Sequence, residues 1–193
     1  MLATVCQLAQ EVTARLGEPD LSWIAARQSV LAAESVYGAL HLVAAIAAAR
    51  AGERVTASGL LDRAREAAER LGADRNDFWL TFGPTNVAIH DVAVLLELGD
   101  PAGALRRAVA VDPSRLPTLE RQSSHYVRLA QAYSARRRDA EAVGALLAAE
   151  RLNPEGIHYH MLLRDLVHGL LRRERRRATP GLRGLAQRLH LSG

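Results

Sequence analysis

The sequence has no lysine, one cysteine, two phenylalanines and two tryptophans among its 193 residues. A single thiol, Cys6, closes no intramolecular disulfide and suits a reducing compartment. An aromatic content of 4% argues against a β-sandwich, whose strands draw on aromatic and β-branched residues. Residues 1–10 carry no basic stretch ahead of an apolar run, so no secretory signal is expected. The longest apolar tract, 36–49, has 14 residues, contains His41 and reads as too short and too alanine-rich to span a bilayer. No membrane association is therefore expected, and the location predicted is cytoplasmic. All 25 basic residues are arginine, which reads as coding bias more than chemistry. They are unevenly placed. Residues 1–154 hold 17 Arg against 18 acidic residues, and residues 155–193 hold 8 against 3. The basic character belongs to the end of the chain, which weakens any reading of the body as a nucleic-acid binder.

What the chain does contain is alanine and leucine, 35 and 30 residues, with helical periodicity throughout. Tyr126, Leu129, Ala130 and Tyr133 recur at i, i+3, i+4, i+7. An Arg136–Arg138 turn follows, with Asp139 as an expected N-cap. Ala142, Leu146 and Ala149 form the return stripe. Asn153-Pro154 is expected to end it and to cap the next helix, with Pro at the first helical position. Ala88, Val92 and Leu95, then Gly99 and Asp100-Pro101, then Ala104, Ala108 and Val111 repeat the pattern. So do His41, Ala44, Ala45 and Ala48 before Gly52, and Ala57, Leu61 and Ala64 after it. The equivalent small residues Ala57, Ala104 and Ala142 lie 47 and 38 positions apart, so linker lengths differ. A further pair is expected to open the chain, from Leu2 to Leu16 and, beyond Gly17 and Pro19, from Trp23 to about Ala33.

This spacing predicts an all-α fold, an α-solenoid of about four antiparallel helix pairs. A capping helix follows, with Leu162, Leu163, Leu166 and Leu170 inward. The expected boundaries are 1–178 for the repeat domain and 179–193 for a short amphipathic tail carrying Leu182, Leu185, Ala186 and Leu189. Residues 72–84 lack periodicity but carry Trp79, Leu80 and Phe82, which predicts a packed loop.

Residues 123–154 resemble the tetratricopeptide repeat (TPR), through Tyr126, Leu129, Ala130, Tyr133, Ala142, Leu146, Ala149 and Pro154. More narrowly, Phe-Gly-Pro-Thr-Asn-Val-Ala-Ile-His (82–90), Glu-Leu-Gly-Asp-Pro (97–101), Val-Asp-Pro-Ser-Arg-Leu-Pro (111–117) and Pro-Gly-Leu-Arg-Gly-Leu-Ala (180–186) look like the C-terminal sensory region of actinobacterial XRE-type helix-turn-helix transcriptional regulators. The helix-turn-helix domain of such regulators has no counterpart ahead of the repeats, so DNA binding is carried over to no residue. The resemblance implies a non-catalytic module that binds a peptide, protein or small ligand and forms a homodimer. DNA would be engaged only indirectly, through a separate domain. No cofactor is expected.

In TPR arrays the first helix of each pair lines a groove. Side chains off the packing stripes there include Leu42 and Ile46, then Asn86, Ile89 and Ala93, then Val127 and Gln131. Asn86 and His90 share a face at i, i+4, and a carboxamide beside an imidazole can hold a peptide backbone or carboxylate. Arg128 would add a bidentate clamp for an anion. The structural alternative is that Asn86 caps its helix and His90 packs against the neighbouring pair. Trp79 and Phe82 form a pocket wall in one reading and plug an inter-pair gap in the other. The run Arg172, Arg173, Arg175, Arg176 and Arg177 reads as a solvated helix end or as a weak phosphate-contacting surface. His158 and His160 point about 200° apart on a helix, so no metal site is expected. Ser123-Ser124-His125 lacks the geometry of a triad.

Overall fold

A computed structural model of the chain describes residue 7 and residues 19–174 and 179–191. Among the described residues there are eight α-helices and no strand, which makes the fold all-α. The helices are α1 (Pro19–Arg50), α2 (Arg54–Leu71), α3 (Pro84–Glu97), α4 (Pro101–Ala110), α5 (Leu119–Ala135), α6 (Asp139–Leu152), α7 (Met161–Arg172) and α8 (Leu182–Arg188). Short 3-10 turns lie at Asp77–Trp79, Pro113–Arg115 and Gly156–Tyr159.

The breaks follow from local chemistry. Gly52 at φ 78° and Gly72 at φ 70° adopt the left-handed conformation that closes α1 and α2. Asp100 accepts from the Gly103 N–H at 2.8 Å and caps α4, with Pro101 at the first position. Thr118 caps α5 through the Arg121 N–H. Two expected caps differ. Asp139 is the first residue of α6, not its cap, and Arg138 occupies the cap position. Asn153 ends α6, and its Oδ1 accepts from Gly156 N–H at 3.0 Å, so it opens a 3-10 turn and not a helix. The local turn satisfies this backbone before the next helix starts at Met161.

The N-terminal expectation also changes. Leu2–Leu16 lies outside the described residues. The helix expected from Trp23 to about Ala33 is no separate element, because α1 runs unbroken for 32 residues from Pro19 to Arg50. No Gly-Pro or Asx break interrupts residues 34–40, and Gly38 sits inside the helix. The stretch Ala26–Arg50 is long and apolar enough to cross a membrane by length and composition, with a mean hydropathy of 1.7. This corrects the estimate from the 14-residue tract, because residues 26–35, with Val30, Leu31, Ala32 and Ala33, extend the apolar run on its N-terminal side. Within this fold the helix contributes one face to the core through Leu42, Ala45, Ala48 and Ala49. It is also tied by Glu34 to Arg70 at 2.9 Å and by Arg50 to Glu97 at 3.2 Å.

Consecutive helices pack as hairpins, α1 on α2, α3 on α4, α5 on α6 and α7 on α8. Further contacts join α1 and α2 to α3, α4 to α5, and α5 to α7. The first core is mostly alanine, with Ala45, Ala57, Ala64 and Ala67 fully buried, so the backbones approach closely. Val92, Ala104, Ala108 and Ala132 join the middle hairpin to α5. The C-terminal core unites α5, α6, α7 and α8. Leu182, Leu185, Leu189 and Leu191 are all buried in it, each contributing about 1.5–3 kcal/mol. Residues 179–191 therefore share a core with α5, α6 and α7.

Candidate functional site

The loop before α3 fixes the first candidate residues. Arg75 and Phe82 exchange two backbone hydrogen bonds of 2.8 Å. Asn76 Oδ1 accepts from the N–H and hydroxyl of Thr81, and Asp74 Oδ1 accepts from Thr85 N–H at 2.9 Å. Asp77 accepts from Arg75 and from the buried Ser35 hydroxyl at 2.6 Å, and these bonds hold its carboxyl below the usual range. This loop is packed at its base, as the sequence predicts. Its two aromatic residues part company, however. Phe82 is fully buried against Gly38, whereas Trp79 is 88% exposed beside the exposed Phe78. They form no common wall, and only Phe82 plugs the gap. Phe78 and Trp79 also adopt positive φ values, of 51° and 59°.

Asn86 is buried and does not cap α3. Gly83 occupies the cap position, and Asn86 Nδ2 donates to the Thr81 carbonyl at 2.7 Å. The Asn86 Oδ1 is buried without a partner among the described residues. Asn86 and His90 are joined through the backbone: His90 Nδ1 lies 2.9 Å from the Asn86 carbonyl, so that nitrogen carries the proton and donates. Ile89 and Ala93 are buried by packing, as are Leu42 and Val127, which removes these four from any groove surface. Ile46 is half-buried against the first core. Burial keeps the imidazole of His90 neutral, lowering its pKa to about 4, with Arg121 and Arg128 adding to the effect.

Arg128, expected from the sequence as an anion clamp, lies at a cleft. It rises half-buried from α5, and its Nη1 donates to Gln131 Oε1 at 3.2 Å. Burial lowers its pKa, Glu97 opposes that and Arg50 reinforces it, so two neighbouring helices, α1 and α3, place charges near it. It faces a cleft of about 380 Å³ lined by α1, α5, α7 and the turn between α6 and α7. Arg50, Ser124, Asn153 and His160 supply polar groups there, and Ile157 and Leu162 supply apolar ones. His160 is kept neutral by burial and by Arg128, against Glu120, and its Nδ1 is buried without a partner among the described residues. Arg50 and His160 were missed in the sequence, because they lie 78 and 32 positions from Arg128 and converge only through packing.

A second cavity, of about 430 Å³, lies among α2, α3 and α4. Arg65 and Arg107 both reach Asp91 there, at 3.9 and 3.5 Å. No family model, curated protein or solved structure matches this chain. Among the described residues, no group of three His, Cys, Asp or Glu side chains stands ready to hold a metal ion.

The arginine run divides. Arg173 donates to both Asp139 oxygens, at 3.0 and 2.9 Å, and to Ser134, so it fastens α7 to α6 and is not free for a phosphate. Arg172 is exposed. Arg175, Arg176 and Arg177 lie outside the described residues.

Proposed function

We propose that the chain is a non-catalytic, TPR-like α-solenoid that binds a ligand in the groove along its first helices. The observation that carries this reading is the cleft at Arg128, built from first helices of different hairpins. It resembles the regulatory part of a transcription regulator, acting in the cytoplasm as a ligand sensor and forming a homodimer. The hairpins stack, so curvature is a sum of small rotations between neighbours. A ligand touching α1, α5 and α7 together would favour one set of those rotations over another. That shift would move a dimer surface or an attached DNA-binding domain. Small-angle scattering with and without a ligand identified by native mass spectrometry tests this. A changed profile is expected; an identical profile at saturation refutes the mechanism.

A stand-alone protein adaptor is the second reading, favoured by a different feature. Trp79, Phe78, Leu40 and Val43 are exposed large apolar side chains on the α1 side of the molecule. Trp79→Ser abolishing capture of a co-purifying protein, with the Arg128 cleft intact, would favour this adaptor.

A further inference from the structure

We propose that the cleft between α5 and α7 takes a carboxylate, gripped by Arg128, with the ligand's apolar body against Ile157, Met161 and Leu162. This deepens the groove-binding reading and rests on it.

The argument begins with charge accounting around Arg128. Its polar partner, Gln131, is uncharged, and no carboxylate lies within ion-pair distance of it among the described residues. The two nearby acids are engaged elsewhere. Glu97 receives Arg50 at 3.2 Å, and Glu120 receives Arg121 at 3.4 Å and the Ser124 hydroxyl at 3.3 Å. Three guanidinium groups thus face two carboxylates. A half-buried cation without a counter-charge is unfavourable, and its fork of donors matches a carboxylate in a bidentate arrangement.

The size of the surplus selects the ligand. One uncompensated positive charge matches a carboxylate, whereas a phosphate monoester brings about −1.5 to −2 at neutral pH. The second cavity lacks this feature, because Arg65 and Arg107 both reach Asp91 and the lining holds as many carboxylates as arginines, three of each. The lining of the α5–α7 cleft supplies the rest of a binding site. Ser124, Asn153 and His160 can bond a polar ligand edge, and Ile157, Met161 and Leu162 offer an apolar wall. The volume of about 380 Å³ suits a small acid or the last residue of a peptide.

The test uses the full chain and four probes: phenylacetate, phenylacetamide, acetyl-phenylalanine and inorganic phosphate. Binding is followed by calorimetry and by shifts in the amide NMR spectrum. Phenylacetate and acetyl-phenylalanine should bind while phenylacetamide does not. Arg128→Gln should weaken both acids by about tenfold or more, Arg128→Lys should weaken them less, and Arg172→Gln should leave them unchanged. Circular dichroism checks that each variant is folded. Tighter binding of acetyl-phenylalanine than of phenylacetate assigns the site to a chain end, and the reverse assigns it to a free acid. Both orders support the carboxylate. Preferred binding of phosphate, or acid binding indifferent to Arg128→Gln, overturns it. Equal binding of phenylacetate and phenylacetamide overturns the carboxylate and leaves the groove reading standing. Failure of all four probes overturns the carboxylate, and the groove reading is then decided by its own scattering experiment.

Discussion

Gly38, Gly59 and Gly144 lie inside helices, and the first should respond to alanine in the opposite sense from the other two. At Gly59 in α2 and Gly144 in α6, an added Cβ meets nothing within 4 Å. Alanine there loses less backbone freedom on folding than glycine, so Gly59→Ala and Gly144→Ala should each stabilise by about 0.5–1 kcal/mol. At Gly38 in α1 the same Cβ would sit 1.9 Å from Phe82 Cζ, with both Cε atoms at 2.3 and 2.5 Å. The ring must retreat by well over 1 Å to reach ordinary contact of about 3.5 Å. It has little room, because Phe82 is fully buried and its backbone is paired on both sides with Arg75. Overpacking of this kind costs about 1–3 kcal/mol, occasionally more, which outweighs the helix-propensity gain. Gly38→Ala should therefore destabilise by about 1–2 kcal/mol, separating it from Gly144→Ala by about 1.5–3 kcal/mol. Urea unfolding followed by far-ultraviolet circular dichroism reads the difference. The clash also predicts coupling: in a Phe82→Leu background, the cost of Gly38→Ala should shrink or reverse. Equal stabilisation by all three alanines would refute the close approach of α1 and the loop.

Other consequences follow from titration and from the ties between helices. Burial lowers His90 and His125 from an ordinary 6.5 to about 4, so the unfolded chain binds more protons between those values. Stability should be fully present above pH 6.5 and fall toward pH 4, by up to about 3 kcal/mol per histidine. Unfolding free energies across that range check the sign, and His125→Leu should flatten the slope; a stability that rises toward pH 4 contradicts it. Arg173→Ala should cost about 1–2 kcal/mol, because it removes a two-point bond to Asp139 and the bonds to Ser134. Asp139→Asn should cost less on top of it than alone, and strict additivity would mean that the pair is not coupled. Trp79→Ser should leave the urea midpoint within about 0.5 kcal/mol of the parent, since the ring is 88% exposed. A larger loss would place it in the core.

The hairpins were legible because periodicity and breakers agree along most of the chain. Ala57, Ala104 and Ala142, matched by pattern alone across unequal linkers, are all fully buried at helix contacts. Gly52, Gly72 and Gly99 mark helix ends through their left-handed conformation, a requirement that sequence expresses directly. The failures have equally local causes. Residues 34–40 contain a glycine that resembles a breaker. Its role is to admit the Phe82 ring, and this cross-chain contact has no signature near Gly38. Asp139 resembles a cap by type, but Arg137 at φ 59° closes α5 and the helix has already started when Asp139 is reached.

The candidate site was less legible for a reason that applies beyond this chain. Helical spacing tells which residues share a face, but it does not tell whether that face is occupied. Asn86 and His90 do share one, and a loop distant by only a few residues consumes the Asn86 amide through Thr81. Val127 and Leu42 sit off the expected stripes and are nevertheless core, because each first helix meets two neighbours and buries a wider arc than one stripe. Arg128 survives that test where its neighbours do not, since a guanidinium on a long stem can keep its charged end at an opening while its carbons pack. The chemically informative property is then not the residue type but the missing counter-charge. That property depends on where Glu97 and Glu120 spend their own bonds, on Arg50 and Arg121. One pairing joins α1 to α3 and the other joins neighbouring positions of α5, so the surplus at Arg128 depends in part on a contact between helices distant in sequence.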